Sequence, residues 1–310
     1  MKAKTFAFLI ILTMPFSMIS KGMTIPENVK KLVAFVYVGD NPHDARLSGT
    51  GFFVSVSKVS STNGPTAYYF VTAKHVILKP DRSPVSRIFL RVNDRHDGVA
   101  MVPVDLILAG TNKNVYFHQD ADVDLAVIAG VPDPQYCDIM TLDSGYLTSE
   151  SDIRALHIHE GTDTFFTGLF THYFGSSRNY PIVRFGKFAL ATDEKLDWPE
   201  PKFDSGTNIW QITRQNLYLI ESTSLGGNSG SPVFFQFGME REANTISFGG
   251  PELKLAGVMK GNFGDIESII PIETAVIPGV RTNTGVAAVI PAYLLHDILF
   301  CDEIKTRRDF

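Results

Sequence analysis

Gly51-Phe-Phe-Val-Ser-Val56, a turn at Asn63-Gly64-Pro65, then Ala67-Tyr-Tyr-Phe-Val-Thr-Ala73 running straight into Lys74-His75: this stretch sets the fold class. Each run is short and rich in β-branched and aromatic residues, and turn chemistry separates the two. The same signature recurs on either side. Before it lies Lys31-Leu-Val-Ala-Phe-Val-Tyr-Val38. After it come Arg87–Val92, Leu125–Ala129, Thr164–Phe170, Ile182–Phe185, Leu217–Ile220, Ser231–Phe235 and Leu253–Val258. Asp97-Gly98, Pro132-Asp-Pro134 and Gly249-Gly250-Pro251 punctuate them. Many short strands without helical periodicity between them imply an all-β barrel or sandwich. One helix is expected, at 291–300. Pro291 suits a first helical position, Leu294, Leu295, Ile298 and Leu299 recur at helical spacing, and His296, Asp297 and Asp302 fall on the other face. The polar, turn-rich stretch Gln135–Ile153 reads as a linker between two lobes, 30–145 and 150–300.

Composition narrows the function classes. The 310 residues are 44% hydrophobic and 20% charged, which excludes a disordered chain. The net charge of −5 leaves no electrostatic footprint for nucleic acid. Two cysteines, Cys137 and Cys301, exclude a disulfide-dense scaffold and a Cys-built zinc site; they either pair or stay as two separate thiols. Lys2 and Lys4 precede the apolar run Thr5–Phe16, and small residues Ser17, Ser20 and Gly22 follow. A run of about a dozen residues is the size of a signal-peptide core and short of the roughly 20 a spanning helix needs. Residues 1–22 are therefore expected to be a signal peptide, cut between 17 and 23, and the mature protein to be exported to a periplasmic or extracellular space without a membrane span.

Three segments carry candidate chemistry: Tyr69-Phe-Val-Thr-Ala-Lys-His75, Asp122-Val-Asp124-Leu-Ala-Val127 and Gly226-Gly227-Asn228-Ser229-Gly230-Ser231-Pro232. Singly they read as a strand end, a solvated acid and a turn. Together, in the order His, Asp, Ser and each at a strand edge, they supply the parts of nucleophilic acyl transfer. A serine hydroxyl needs a neutral imidazole to take its proton as it attacks. The imidazole needs a carboxylate to fix its tautomer and stabilise its charged form. The oxyanion needs backbone N–H donors, which a glycine-rich curl can converge; here these are Gly227 and Ser229. Asp124, directly before Leu-Ala-Val, is the expected acid, with Asp122 as its rival. Ser229 is the expected nucleophile, with Ser231 in the same turn. His157-Ile-His159 would place two imidazoles on one face if extended, which is a weak metal signal beside the ordinary solvated strand. No cofactor or metal is expected.

With these residues quoted, the chain resembles the trypsin/chymotrypsin-like serine proteases. Thr72-Ala-Lys-His75, Asp124-Leu-Ala-Val and Gly227-Asn-Ser229-Gly-Ser-Pro232 resemble the histidine, aspartate and nucleophile motifs. Gly49-Thr-Gly51-Phe-Phe-Val54 is similar to the early strand beneath the histidine, and Ala256-Gly-Val-Met-Lys-Gly261 to the strand lining the specificity pocket. The resemblance implies two perpendicular six-stranded Greek-key β-barrels with a carboxyl-terminal helix, protein or peptide substrates, and an acyl-enzyme. It is nearest to the bacterial HtrA-like and glutamyl-endopeptidase-like branches. Asn228 stands where the digestive members carry an Asp that pairs with a new amino terminus, and, unlike the HtrA type, no appended peptide-binding domain is expected after the second barrel. By motif offset the pocket involves Thr223 at its base and Met259, Lys260, Gly261 and Asn262 along one wall. An uncharged Thr223 argues against a preference for Arg or Lys and leaves small apolar or acidic residues open; Lys260 at the mouth reads as a solvated side chain, with selection of an acidic residue as its alternative. The rival reading from another class is the same fold used as a binding or scaffold protein.

Overall fold

The computed structural model describes residues 25–57, 65–108, 113–204, 207–238, 240–242, 245–246, 253–268 and 279–308. The expected signal peptide lies outside them. Eight strands build the first lobe: β1 (Val33–Val38), β2 (Arg46–Ser57), β3 (Thr66–Ala73), β4 (Arg87–Asn93), β5 (Val99–Asp105), β6 (Val115–Phe117), β7 (Leu125–Ala129) and β8 (Leu142–Asp143). Their order is β5-β4-β1-β2-β3-β7-β6, and the two ends approach each other at a bridge between Ile107 and Lys113. That path has seven strands and β8 adds an eighth, where six are implied. Pairing of β1 stops at Phe52, so Val54 and Ser55 keep one open edge, and β8 fills it in parallel.

The second lobe is a closed six-stranded barrel in the order β10-β13-β18-β17-β14-β9. It follows a short helix, α1 (Glu150–Ala155), held by a capping box between Ser149 and Asp152. Its strands are β9 (Asp163–Gly168), β10 (Ile182–Leu190), β13 (Tyr218–Glu221), β14 (Pro232–Gln236), β17 (Leu253–Ser268) and β18 (Gly279–Pro291). A separate hairpin, β11 (Leu196–Asp204) with β12 (Thr207–Gln215), projects from it, and a minor pair, β15 (Glu240–Glu242) with β16 (Thr245–Ile246), precedes β17. α2 (Ala292–Leu299) and α3 (Asp302–Arg308) close the chain. Pro291 ends β18 and caps α2 instead of occupying its first turn. This is the expected all-β architecture with a carboxyl-terminal helix.

The continuous apolar runs have a geometric cause. Alternate side chains of a strand face opposite sides. In β2, Phe53 points into the first-lobe core with Phe70, Ile88, Leu90 and Ile128. Its neighbours Phe52 and Val54 face a second core shared with Phe165, Phe234, Leu255 and the α2 residues Leu295 and Ile298. In β9, Phe165 stacks on Phe234 with ring centroids 5.0 Å apart in that shared core, while Phe166 faces the second-barrel interior. These strands are buried on both faces, so they read as solid apolar blocks. The stretch read as a linker is partly first-lobe structure: Cys137 and Ile139 pack into the first-lobe core. Both cysteines are free thiols.

Candidate active site

Strand register brings the histidine and aspartate segments together. β3 and β7 pair antiparallel with Ala73 opposite Leu125, so the chain leaving β3 meets the chain entering β7. Lys74 N–H donates to the Asp124 carbonyl at 3.0 Å, and a 3-10 turn over Lys74–Ile77 swings His75 over the strand end. The Asp124 carboxylate then holds His75 twice. Oδ1 accepts the His75 backbone N–H at 2.9 Å and Oδ2 meets Nδ1 at 2.6 Å. With Nδ1 donating to the carboxylate, the neutral ring presents Nε2 as its acceptor. The Asp124 side chain is 6% exposed and that of His75 49%. Asp122 lies exposed in the turn before β7 and makes no such contact.

The Ser229 turn is pinned from both lobes. Thr50 of β2 is fully buried and makes four bonds there. Its N–H donates to the Ser229 carbonyl at 2.9 Å, and its hydroxyl donates to the Gly227 carbonyl at 2.8 Å and accepts the Leu169 N–H at 3.0 Å. Its carbonyl accepts the Thr72 hydroxyl at 2.7 Å. Asn228 is also buried: its Nδ2 donates to the Leu169 carbonyl at 2.5 Å and its Oδ1 accepts the Leu225 N–H at 2.8 Å. Gly227 and Gly230 take φ of 93° and 86°, and a Cβ at Gly230 would collide with the Thr50 carbonyl and the Thr72 hydroxyl. The turn's backbone bonds use the amides of Asn228, Gly230 and Ser231, not those of Gly227 and Ser229. Ser231 is fully buried, whereas Ser229 is partly exposed. The Ser229 hydroxyl donates to the backbone carbonyl of Lys260 at 3.0 Å.

Lys260 is not the solvated side chain its sequence position suggests. It is 3% exposed. Its ammonium lies 3.0 Å from Asp124 Oδ2, 3.1 Å from Glu200 Oε1 on β11 and 5.2 Å from the Trp198 ring centroid. Gln215 and Arg82 complete the shell of Glu200 at 2.8 and 2.7 Å. Burial pushes the Asp124 carboxyl up, but the charges of His75 and Lys260 and the hydrogen bonds from both hold it well below the usual carboxylate range. Burial likewise pushes Glu200 up, and Lys260 together with the Gln215 hydrogen bond reverses it.

A cavity of about 520 Å³ opens beside His75 and Asp124. Lys260, Gly261 and Asn262 line one side, Trp198 and Glu200 the roof, and Leu78 and Arg82 the first-lobe side. Two of the expected pocket residues do not line this cavity. Met259 is fully buried in the second-barrel core, and the β17–β18 register shifts between Met259 and Gly261, where Lys260 turns to Asp124. Thr223 is exposed and does not line this cavity. His157 and His159 do not share a strand face: His157 sits in a turn at φ 52°, and among the described residues no cluster of three or more His, Cys, Asp or Glu could hold a metal.

Sequence reasoning missed Glu200, Trp198 and Arg82. A tryptophan two residues before an acid, flanked by Pro199 and Pro201, was the available signal. No protein-family model matches the chain, and no curated protein matches it. Among solved structures, the chain is similar to the protease Anisep from Arthrobacter nicotinovorans, at 10% identity over 88% of this chain and 95% of that one, with a TM-score of 0.44.

Proposed function

We propose that this protein is an exported serine endopeptidase that cleaves peptide bonds through an acyl-enzyme. The observation that carries the proposal is the two-point hold of Asp124 on His75, at 2.6 and 2.9 Å, together with a glycine-rich serine turn clamped by Thr50 of β2, the strand paired with β3. Ser229 is the nucleophile. His75 takes its proton and returns it to the leaving amine. Asp124 orients the ring and stabilises the imidazolium. The uncommitted amides of Gly227 and Ser229 are the oxyanion donors. Attack requires the Ser229 hydroxyl to rotate from the Lys260 carbonyl to His75 Nε2. Export rests on the amino-terminal Lys-apolar-small pattern. The resemblance to the HtrA-like and glutamyl-endopeptidase-like branches is supported by Asn228, whose amide binds the Leu169 carbonyl in place of any ion pair with an amino terminus.

One observation favours the second reading, a binding protein on the same fold: the Ser229 hydroxyl is bonded to Lys260, not to His75. A fluorophosphonate probe separates the two. Covalent labelling mapped to Ser229, with casein hydrolysis that disappears in Ser229→Ala while the circular dichroism spectrum is unchanged, is the expected result. An unlabelled, folded protein, or a Ser229→Ala variant that hydrolyses casein at the parent rate, overturns the endopeptidase reading.

A further inference from the structure

Lys260 touches two members of the proposed triad by different atoms: its ammonium bonds Asp124 and its carbonyl accepts from Ser229. The ammonium meets the same carboxylate oxygen, Oδ2, that holds His75 Nδ1. A buried cation needs compensation, and two carboxylates, Asp124 and Glu200, provide it. Arg82 in turn neutralises Glu200 from the far side. The resulting row of charges runs Asp124, Lys260, Glu200, Arg82, alternating in sign and crossing from the first lobe to β17, to β11 and back to the first lobe. The other charged groups facing the pair are Lys74, whose ammonium is spent on the Ala121 carbonyl, Lys79 on the loop after His75, and Asp122 before β7.

We propose that Lys260 is a positioning residue that fixes Asp124 Oδ2 and opposes protonation of His75, so that the site works at more acidic pH than a His-Asp pair alone. The inference rests on the serine-endopeptidase reading for its functional meaning. The physical argument is short. Asp124 alone would stabilise the imidazolium and keep His75 from acting as a base until the pH rose. A cation on the same carboxylate oxygen cancels part of that pull. It also gives Oδ2 a second donor, which restrains the carboxylate in the plane that His75 needs. A serine or other neutral side chain at this position could hydrogen-bond Asp124 but could not exert the opposing charge.

The test is the pH dependence of the second-order rate of inactivation by a fluorophosphonate probe, with kcat/KM on labelled casein measured alongside. Lys260→Met should move the acid limb upward by about one pH unit, since an interacting charge at this range shifts a titration by about 1–3 units. Lys260→Arg keeps the charge and should leave the limb near that of the parent. Glu200→Gln removes a counter-charge from Lys260 and should move the limb downward. Lys260→Met leaves Asp124 and Glu200 buried without their partner, so if it does not fold, Glu200→Gln and Lys260→Arg decide. An unmoved limb in folded Lys260→Met, or in Glu200→Gln, overturns the proposal, because a merely structural lysine would lower the rate at every pH alike. If the parent is not labelled, the endopeptidase reading fails separately. Nuclear magnetic resonance titration of the His75 ring in the same variants then judges Lys260, with the same directions expected and an unmoved titration overturning it.

Discussion

Thr50 N–H donates to the carbonyl of Ser229 at 2.9 Å, so the serine turn of the second lobe hangs from a strand of the first. The Thr50 hydroxyl adds two further bonds, to the Gly227 carbonyl and from the Leu169 amide. Thr50→Val keeps the shape and removes both. It should destabilise the protein by about 1–3 kcal/mol, since two buried backbone groups lose their partner. It should also lower kcat about tenfold or more with little change in KM, because the hydroxyl of Ser229 is displaced and the cavity is not. Urea denaturation and steady-state kinetics on one substrate check both; parent-like kcat in a destabilised variant would show that the clamp serves folding alone.

Asp124→Asn replaces the carboxylate that meets His75 with an amide that can favour the wrong ring tautomer. The general behaviour of such triads puts the loss in kcat at about 10⁴-fold. The variant also strips Lys260 of one counter-ion, so its thermal midpoint should fall. Asp122→Asn changes an exposed side chain, and its stability should stay within about 0.5 kcal/mol of the parent. Its kcat should stay near the parent value. Kinetics of the two variants side by side decide which acid serves His75; a dead Asp122→Asn with an active Asp124→Asn would reverse the assignment.

Stability against acid follows in part from two depressed carboxyls at the site. Asp124 and Glu200 have folded-state values below their unfolded ones, so each contributes stability that is fully present above the unfolded value and is lost as the pH falls through the folded one. Unfolded Asp and Glu titrate near about 3.9 and 4.3. The urea midpoint should therefore be insensitive to these groups from pH 7 down to about 5 and decline below about 4. Glu200→Gln should flatten that decline. A decline of equal steepness in parent and variant would mean other carboxyls govern it.

Chelation gives a fourth expectation. The proposed chemistry uses a serine, an imidazole and a carboxylate, so EDTA should leave casein hydrolysis unchanged while a fluorophosphonate ends it. Loss of activity on chelation, restored by zinc or calcium, would contradict the proposed mechanism or reveal a structural ion.

What the sequence shows and what it hides divide along local and non-local lines. His75, Asp124 and Ser229 stand in short segments whose own chemistry marks them, and β2, β3 and β7 are apolar enough to read directly. β5 was not legible because Pro103 and a half-exposed pattern argue against a strand, yet β5 is an edge strand, where proline is tolerated. The β11–β12 hairpin was hidden by Pro199 and Pro201 in the same way. Lys260 was misread for a different reason. Nothing near it in sequence announces burial, because the acids that compensate it come from β11 and from the start of β7. The burial of Met259 was not legible because the offset of a motif locates a backbone and not the side its residues face, and a register shift falls between Met259 and Gly261.

The strands buried on both faces have a consequence outside the native state. Gly51-Phe-Phe-Val-Ser-Val56 contains no charge and no proline, and neither do the three residues Val233-Phe-Phe235 at the centre of β14. Unfolded, such segments are strong candidates for intermolecular β-pairing, and no solvent-facing position within them is available for a protective charge. The first-lobe, shared and second-barrel cores all need these residues as they are. The recoverable yield from denaturant should therefore depend steeply on protein concentration, and dilution rather than sequence change is the lever that improves it.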